Sequence, residues 1–273
     1  MSRDKVRLGG MALANGVLVH GPRYWACAVR LEDGGLEVAS GLKPLRAAEI
    51  ENHLIRGPAR MAEIFALLPE IRRRIPAAQL PFQRPAVAAA MVGSAAAVRL
   101  VRGSRLSMAA QEVLAAALAV GPAAVAMRGS NLASYHGAEH ISIGSYEHGE
   151  KRAKEHERCG SHLLGPLLLT SAVGNALATR APSSLRPAAR AAAGIGALAA
   201  SVELFSWMVQ NEKNPIARAL AMPGHELQHR FVTAEPTPEQ LEVANLALEE
   251  CLRLEVESPA NGDNGAAEEA PPT

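Results

Sequence analysis

Short apolar runs separated by turn residues occupy residues 8–45, and this pattern predicts a β-meander. Residues 11–20 and 25–31 form its first two runs, divided by Gly21-Pro22-Arg23. Glu32-Asp33-Gly34-Gly35 then turns the chain into residues 36–40, a hairpin pattern. From 46 to 75 the apolar positions take helical spacing: Ile50, Leu54 and Ile55, then Met61, Ile64, Phe65 and Leu68. Pro69 and Pro76 punctuate this part.

The middle of the chain loses its charge. Four segments, about 86–101, 107–128, 163–179 and 188–209, are almost purely apolar. The second holds Gln111, Glu112 and Pro122, the third Thr170, Ser171, Asn175 and Thr179, and the fourth Glu203. Crossing a bilayer takes ~20 mostly apolar residues; two segments reach that length and two fall a little short. They are rich in Ala and Gly, and mean hydropathy is only +0.03. Small residues let membrane helices approach closely, but the same composition also suits a soluble alanine-rich bundle. Solubility in carbonate or salt without detergent would distinguish that third reading.

Short links at 102–107 and 180–187 would make two hairpins of the four segments. The N-terminal region, the 129–162 loop and the C-terminal region then share one side. Arg and Lys are plentiful there, but the links also carry Arg, so the positive-inside bias is weak. A cytoplasmic position is expected for the polar regions, where a thiol stays reduced.

After Pro223-Gly224, Thr237-Pro238-Glu239-Gln240 reads as a capping box that starts an amphipathic helix through Leu241, Val243, Ala244, Leu246, Leu248 and Leu252. From about 258 to 273 no apolar face remains, and disorder is expected. The expected architecture is mainly α with a small β-rich N-terminal region: a four-helix, two-hairpin transmembrane bundle plus a C-terminal amphipathic helix. Its parts are a meander (1–45), a helical region (46–85), the bundle with its polar loop 129–162 (86–222), a C-terminal segment and helix (223–257), and the tail (258–273).

Composition narrows the function classes. A net charge of +1 and 3% aromatic residues offer little to a nucleic acid, which is not expected as a partner. Membrane lipid and an unidentified substrate or protein are. Three distant cysteines do not form a disulfide framework, and Cys27 and Cys251 read as buried apolar residues. The charged N-terminus, followed by a Gly-rich strand pattern, does not resemble a secretory signal.

Five of the nine histidines and Cys159 fall within residues 135–162. His136-x-x-Glu139-His140 has the order H-x-x-E-H, the reverse of the common zinc-peptidase pattern. On a helix, residues four apart share a face, so His136 and His140 can offer two imidazoles to one metal. Glu139 can act as general base or as an oxygen ligand. A catalytic zinc needs a third protein ligand, and Glu147, His156 and Cys159 are the candidates. His156-x-x-Cys159 places two of these one turn apart, while His148 and His162 read as bystanders. Mixed N, S and O donors favour zinc, with ferrous iron as runner-up. Gly137 inside the motif costs ~1 kcal/mol of helix propensity, which points to a close backbone approach there. Glu203 is a candidate partner for a motif histidine; His225 and His229 read as surface residues, and His20 and His53 as structural.

The sequence resembles the YqhQ-like family of bacterial membrane proteins. The resemblance rests on Gly9-Gly10, Asn15-Gly16-Val17, Gly21-Pro22, Arg56-Gly57, residues 135–140, Tyr146-Glu147, His156-x-Arg158-Cys159-Gly160, Leu227-Gln228 and residues 240–244. It implies an integral membrane protein with a metal site and no established reaction; His162 is not inherited as a ligand. Two readings follow. One is a metal-dependent membrane enzyme, of hydrolase type, with Glu139 as catalytic residue and His136, His140, Glu147, His156 and Cys159 as the ligand set. The other is a non-catalytic membrane scaffold or regulator with a structural metal.

Overall fold

The computed structural model of the protein describes residues 5–52 and 55–257. His53, Leu54 and the 258–273 tail lie outside these residues. The fold is mainly helical, with an N-terminal four-stranded antiparallel sheet of order β1-β2-β3-β4. The strands are β1 (Gly9–Leu13), β2 (Gly16–His20), β3 (Tyr24–Arg30) and β4 (Leu36–Leu42).

The run at 11–20 is thus two strands, with Leu13 paired to Gly16 across a two-residue turn. The two turn residues are Ala14 and Asn15, and Gly16 already belongs to β2. Asn15 also bonds the carbonyls of Arg30 (3.1 Å) and Ala77 (3.0 Å) and accepts from the Gln79 amide (2.9 Å), so the hairpin tip is fixed to distant chain.

Side chains alternate across the sheet, so each face meets a different layer. Leu18, Trp25, Cys27 and Val29 pack on Leu67, Leu68 and Ile71 of α1 (Arg56–Arg74). Val17, Val19, Ala26 and Ala28 pack on α4 (Leu132–His148) and α8 (Pro238–Glu257). Cys27 and Cys251 are buried, one in each core, and burial pushes both thiols up to about 12. Thr237 and Gln240 make the reciprocal bonds of a capping box at the start of α8 (2.9 and 3.3 Å).

Lys43 and Glu63 form a buried ion pair (2.7 Å) that joins the end of the sheet to α1. Nearby, burial and the Lys43 charge lower the His20 imidazole to about 4, against the opposing pull of Glu63. Because the folded protein resists protonating His20, the unfolded chain binds more protons between pH 6.5 and about 4. Stability should therefore fall across that window by up to about 3 kcal/mol. His20→Asn should flatten this part of a denaturation-versus-pH curve; an unchanged slope would remove His20 as its source.

Two helical hairpins leave this body: α2 (Pro85–Gly103) with α3 (Met108–Met127), and α5 (Leu164–Thr179) with α6 (Arg186–Gln210). Three helices are long and apolar enough to cross a membrane: α2, the 110–127 stretch of α3, and α6. The fourth expected span is corrected. At 16 residues α5 extends about 24 Å, short of a hydrocarbon core of ~30 Å. Its first turn is held in the protein body instead, where a Cβ on Gly165 would collide with the Leu220 carbonyl of α7 (Pro215–Leu227).

Only 6% of the apolar window of α2 and 11% of that of α3 is buried. Val92, Leu100, Val113 and Ile195 are among the large apolar side chains left exposed. Near the far ends of the hairpins, Glu112 bonds both Arg102 of α2 (3.3 Å) and Asn175 of α5 (2.8 Å), linking the two. Glu203 meets no motif histidine; it forms a two-point ion pair with Arg56 at the start of α1.

Candidate metal centre

The central helix α4 carries His136, Glu139 and His140 on neighbouring turns. The chain then leaves at Gly149, whose φ of 75° ends the helix, and returns through a loop to Cys159. Ligand atoms of His136, His140 and Cys159 all lie within 4.8 Å of one another. Cys159 Sγ is 3.5 Å from His136 Nε2, and the Ser161 amide donates to the same sulfur at 3.5 Å.

The tautomers follow from the partners. His136 Nδ1 donates to the Val232 carbonyl (2.9 Å), and His140 Nδ1 to the Lys154 carbonyl (2.6 Å). A carbonyl can only accept, so each Nδ1 bears hydrogen and each Nε2 keeps its lone pair for a metal. The close approach expected at Gly137 is present. A Cβ there would collide with the Ala234 carbonyl, two residues beyond the Val232 carbonyl that orients His136.

Glu139 is 7% exposed, packs against Gly10 of β1 and has its Oε2 3.9 Å from His136 Nε2. Burial holds its carboxyl above the ordinary value, opposed by His136 and His156. Burial also lowers the His140 imidazole.

The other two predicted ligands stand beside the cluster in different contacts. The His156 ring lies 5.5 Å from that of His140. Its Nδ1 accepts from the Arg158 amide (3.3 Å), so Nε2 bears the hydrogen and donates to Glu147 Oε2 (3.0 Å). Glu147 Oε1 pairs with Arg158 Nη2 at 2.8 Å. In this arrangement the lone pair of His156 and one oxygen of Glu147 are hydrogen-bonded, while the buried Glu147 Oε1 has its ion pair with Arg158 but no hydrogen-bond partner among the described residues. His148 Nδ1 bonds the Gly144 carbonyl of its own helix (3.0 Å), and exposed His229 bonds Glu155 (2.9 Å).

Sequence reasoning gave Gln228 no role. It is fully buried in a π-helical turn, Gln228–Val232, and pins the 156–162 segment. Its Oε1 accepts from the His156 amide (2.9 Å). Its Nε2 faces the His156 carbonyl (3.2 Å), Ser161 Oγ (2.7 Å) and His162 Nδ1 (3.1 Å). One turn therefore supplies both the carbonyl that orients His136 and the amide that holds the Cys159 loop. The available sequence signal was a polar residue just after the apolar pattern of α7, within the Leu227-Gln228 pair.

The fold and cluster together define a helical protein with a His-His-Cys donor set, set where a small sheet meets two apolar hairpins. Residues 126–254 match the family described as Protein of unknown function (DUF1385). The chain is 33% identical over 135 residues to the uncharacterized protein YqhQ of Bacillus subtilis (strain 168). That alignment covers 46% of this chain and 42% of the relative's length. The family match covers the segment that carries the cluster, and the likeness to YqhQ supports the YqhQ-like resemblance. No solved structure matches the chain.

Proposed function

We propose that the protein is a metal-dependent hydrolase of a bacterial inner membrane, with its polar regions on the cytoplasmic side. One observation carries the metal: two imidazole Nε2 atoms of fixed tautomer and a thiol sulfur converge within 4.8 Å. Two histidines, one cysteine and an open fourth position form a ligand set suited to catalytic zinc. The soft sulfur favours zinc over ferrous iron. A divalent metal held there supplies Lewis acidity. Glu139 lies beside His136 and is placed to accept a proton from the nucleophile at Oε2. His156, Glu147 and Arg158 brace the cluster from behind rather than bind the metal. The membrane reading draws on α2, α3 and α6, whose apolar surfaces the chain itself leaves largely uncovered.

The first test is metal analysis of protein purified in detergent without chelator, beside His136→Ala/His140→Ala. Wild type should hold about one zinc per chain and the double variant almost none. Equal, negligible metal in both would end the reading. Cobalt substitution then separates an enzyme from a structural site. Addition of a hydroxamate should change the visible spectrum if the fourth position is open. An unchanged spectrum would mean that Glu139 closes the shell and the metal is structural.

A further inference from the structure

A cleft of about 400 Å³ is lined in part by Glu155, His156, Glu157 and His162, and Cys159 is not among its lining residues. Phe205, Met208 and Val209 of α6 and Ala217, Ala221 and Met222 of α7 give it one apolar side. The other side is polar and includes His156 and His162. The apolar side continues the last turns of α6, a helix long and apolar enough to cross a membrane.

Its polar groups are unevenly committed. Glu155 is paired with Lys154 (3.2 Å) and His229 (2.9 Å), and Glu157 with Arg152 (2.7 Å). Glu212 and Arg218 also line the cleft, and neither has an ion-pair partner among the described residues. They offer one negative and one positive charge. His162 adds a directed donor. The His156 amide can only donate, which assigns Oε1 of Gln228 and makes its Nε2 the donor to His162 Nδ1. The proton of neutral His162 is then on Nε2, for which no protein partner exists among the described residues. His162 is 5% exposed, and its ring lines the cleft.

We infer that this cleft binds one zwitterionic phospholipid. Its acyl chain lies against Phe205, Met208 and Met222, its phosphate meets Arg218 and the His162 Nε2 hydrogen, and its ammonium meets Glu212. An acidic lipid brings no ammonium to meet Glu212, and an uncharged glycolipid uses neither charge. The inference rests on the reading above that α6 enters the bilayer, but not on the metal.

The test is native mass spectrometry of the full chain from micelles doped equally with phosphatidylethanolamine, phosphatidylglycerol and a diglucosyl diacylglycerol. One phosphatidylethanolamine should be retained per chain with about tenfold preference, equivalent to ~1.4 kcal/mol. Glu212→Gln and Arg218→Gln, both at exposed positions, should each reduce the preference to near parity, and His162→Phe should weaken retention. Metal-free His136→Ala/His140→Ala should retain the lipid as wild type does, which separates this site from the metal reading. Equal retention of all three lipids, or selectivity unmoved by the Glu212 and Arg218 variants, would overturn the inference. Release of the chain from membranes by carbonate alone would overturn it together with the membrane reading.

Discussion

Cys159→Ser is expected to weaken zinc binding by about 4 kcal/mol, on the order of a thousandfold in Kd. The figure follows from sharing the ~10–16 kcal/mol of a four-ligand structural zinc among its ligands. The substitution replaces a soft thiolate with a hydroxyl that remains protonated, and the remaining protein donors are His136 and His140. It should leave the fold intact, because Cys159 is partly exposed and its loop is held by Gln228. Competition against a chromophoric chelator measures the change. An affinity equal to wild type would exclude Cys159 from the coordination shell and reopen the roles of His156 and Glu147.

Gln228→Leu should cost about 4 kcal/mol of stability and lower metal affinity by about 10- to 100-fold. Leucine fills a similar volume but cannot bond. The His156 amide loses its acceptor, and the His156 carbonyl, Ser161 Oγ and His162 Nδ1 lose the two amide hydrogens they share. An unsatisfied buried polar group costs ~1–3 kcal/mol, and some of these groups will find water. The two readouts belong together because the pinned segment carries Cys159. A stability loss with metal affinity unchanged would show that Gln228 holds the loop without positioning the thiol.

What was legible in the sequence was local. The capping box at Thr237 and Gln240 needs only residues three apart, and it formed as read. The pairing of His136 with His140 follows from helical geometry, and Gly137 announced a close backbone approach by its poor helix propensity. Spacing alone leaves Cys159, His156 and Glu147 open as the third donor; the fold brings the Cys159 sulfur beside His136 and His140 and sets His156 and Glu147 against each other and Arg158. The length of α5 was legible, since the segment read at 163–179 is already short of a span; what the sequence did not show is that its first turn is held by α7. Glu203 reads in sequence as a partner for a motif histidine, yet the fold pairs it with Arg56, 147 residues away, in a partly exposed ion pair. Gln228 lies 72 residues from His156, and a single glutamine carries no pattern across such a distance.

The position of Val232 and Gln228 along the chain also sets an order of assembly. His136, His140 and Cys159 all precede the second hairpin; Lys154, which orients His140, precedes it too, whereas the Val232 carbonyl that orients His136 and the Gln228 amide that holds the Cys159 loop follow it. During synthesis the donor atoms emerge early, but His136 and the Cys159 loop cannot hold their final geometry until α5, α6 and α7 have been made and packed. Completion of the His-His-Cys cluster is thereby tied to the second hairpin, so a chain stalled midway in biogenesis lacks the finished donor set.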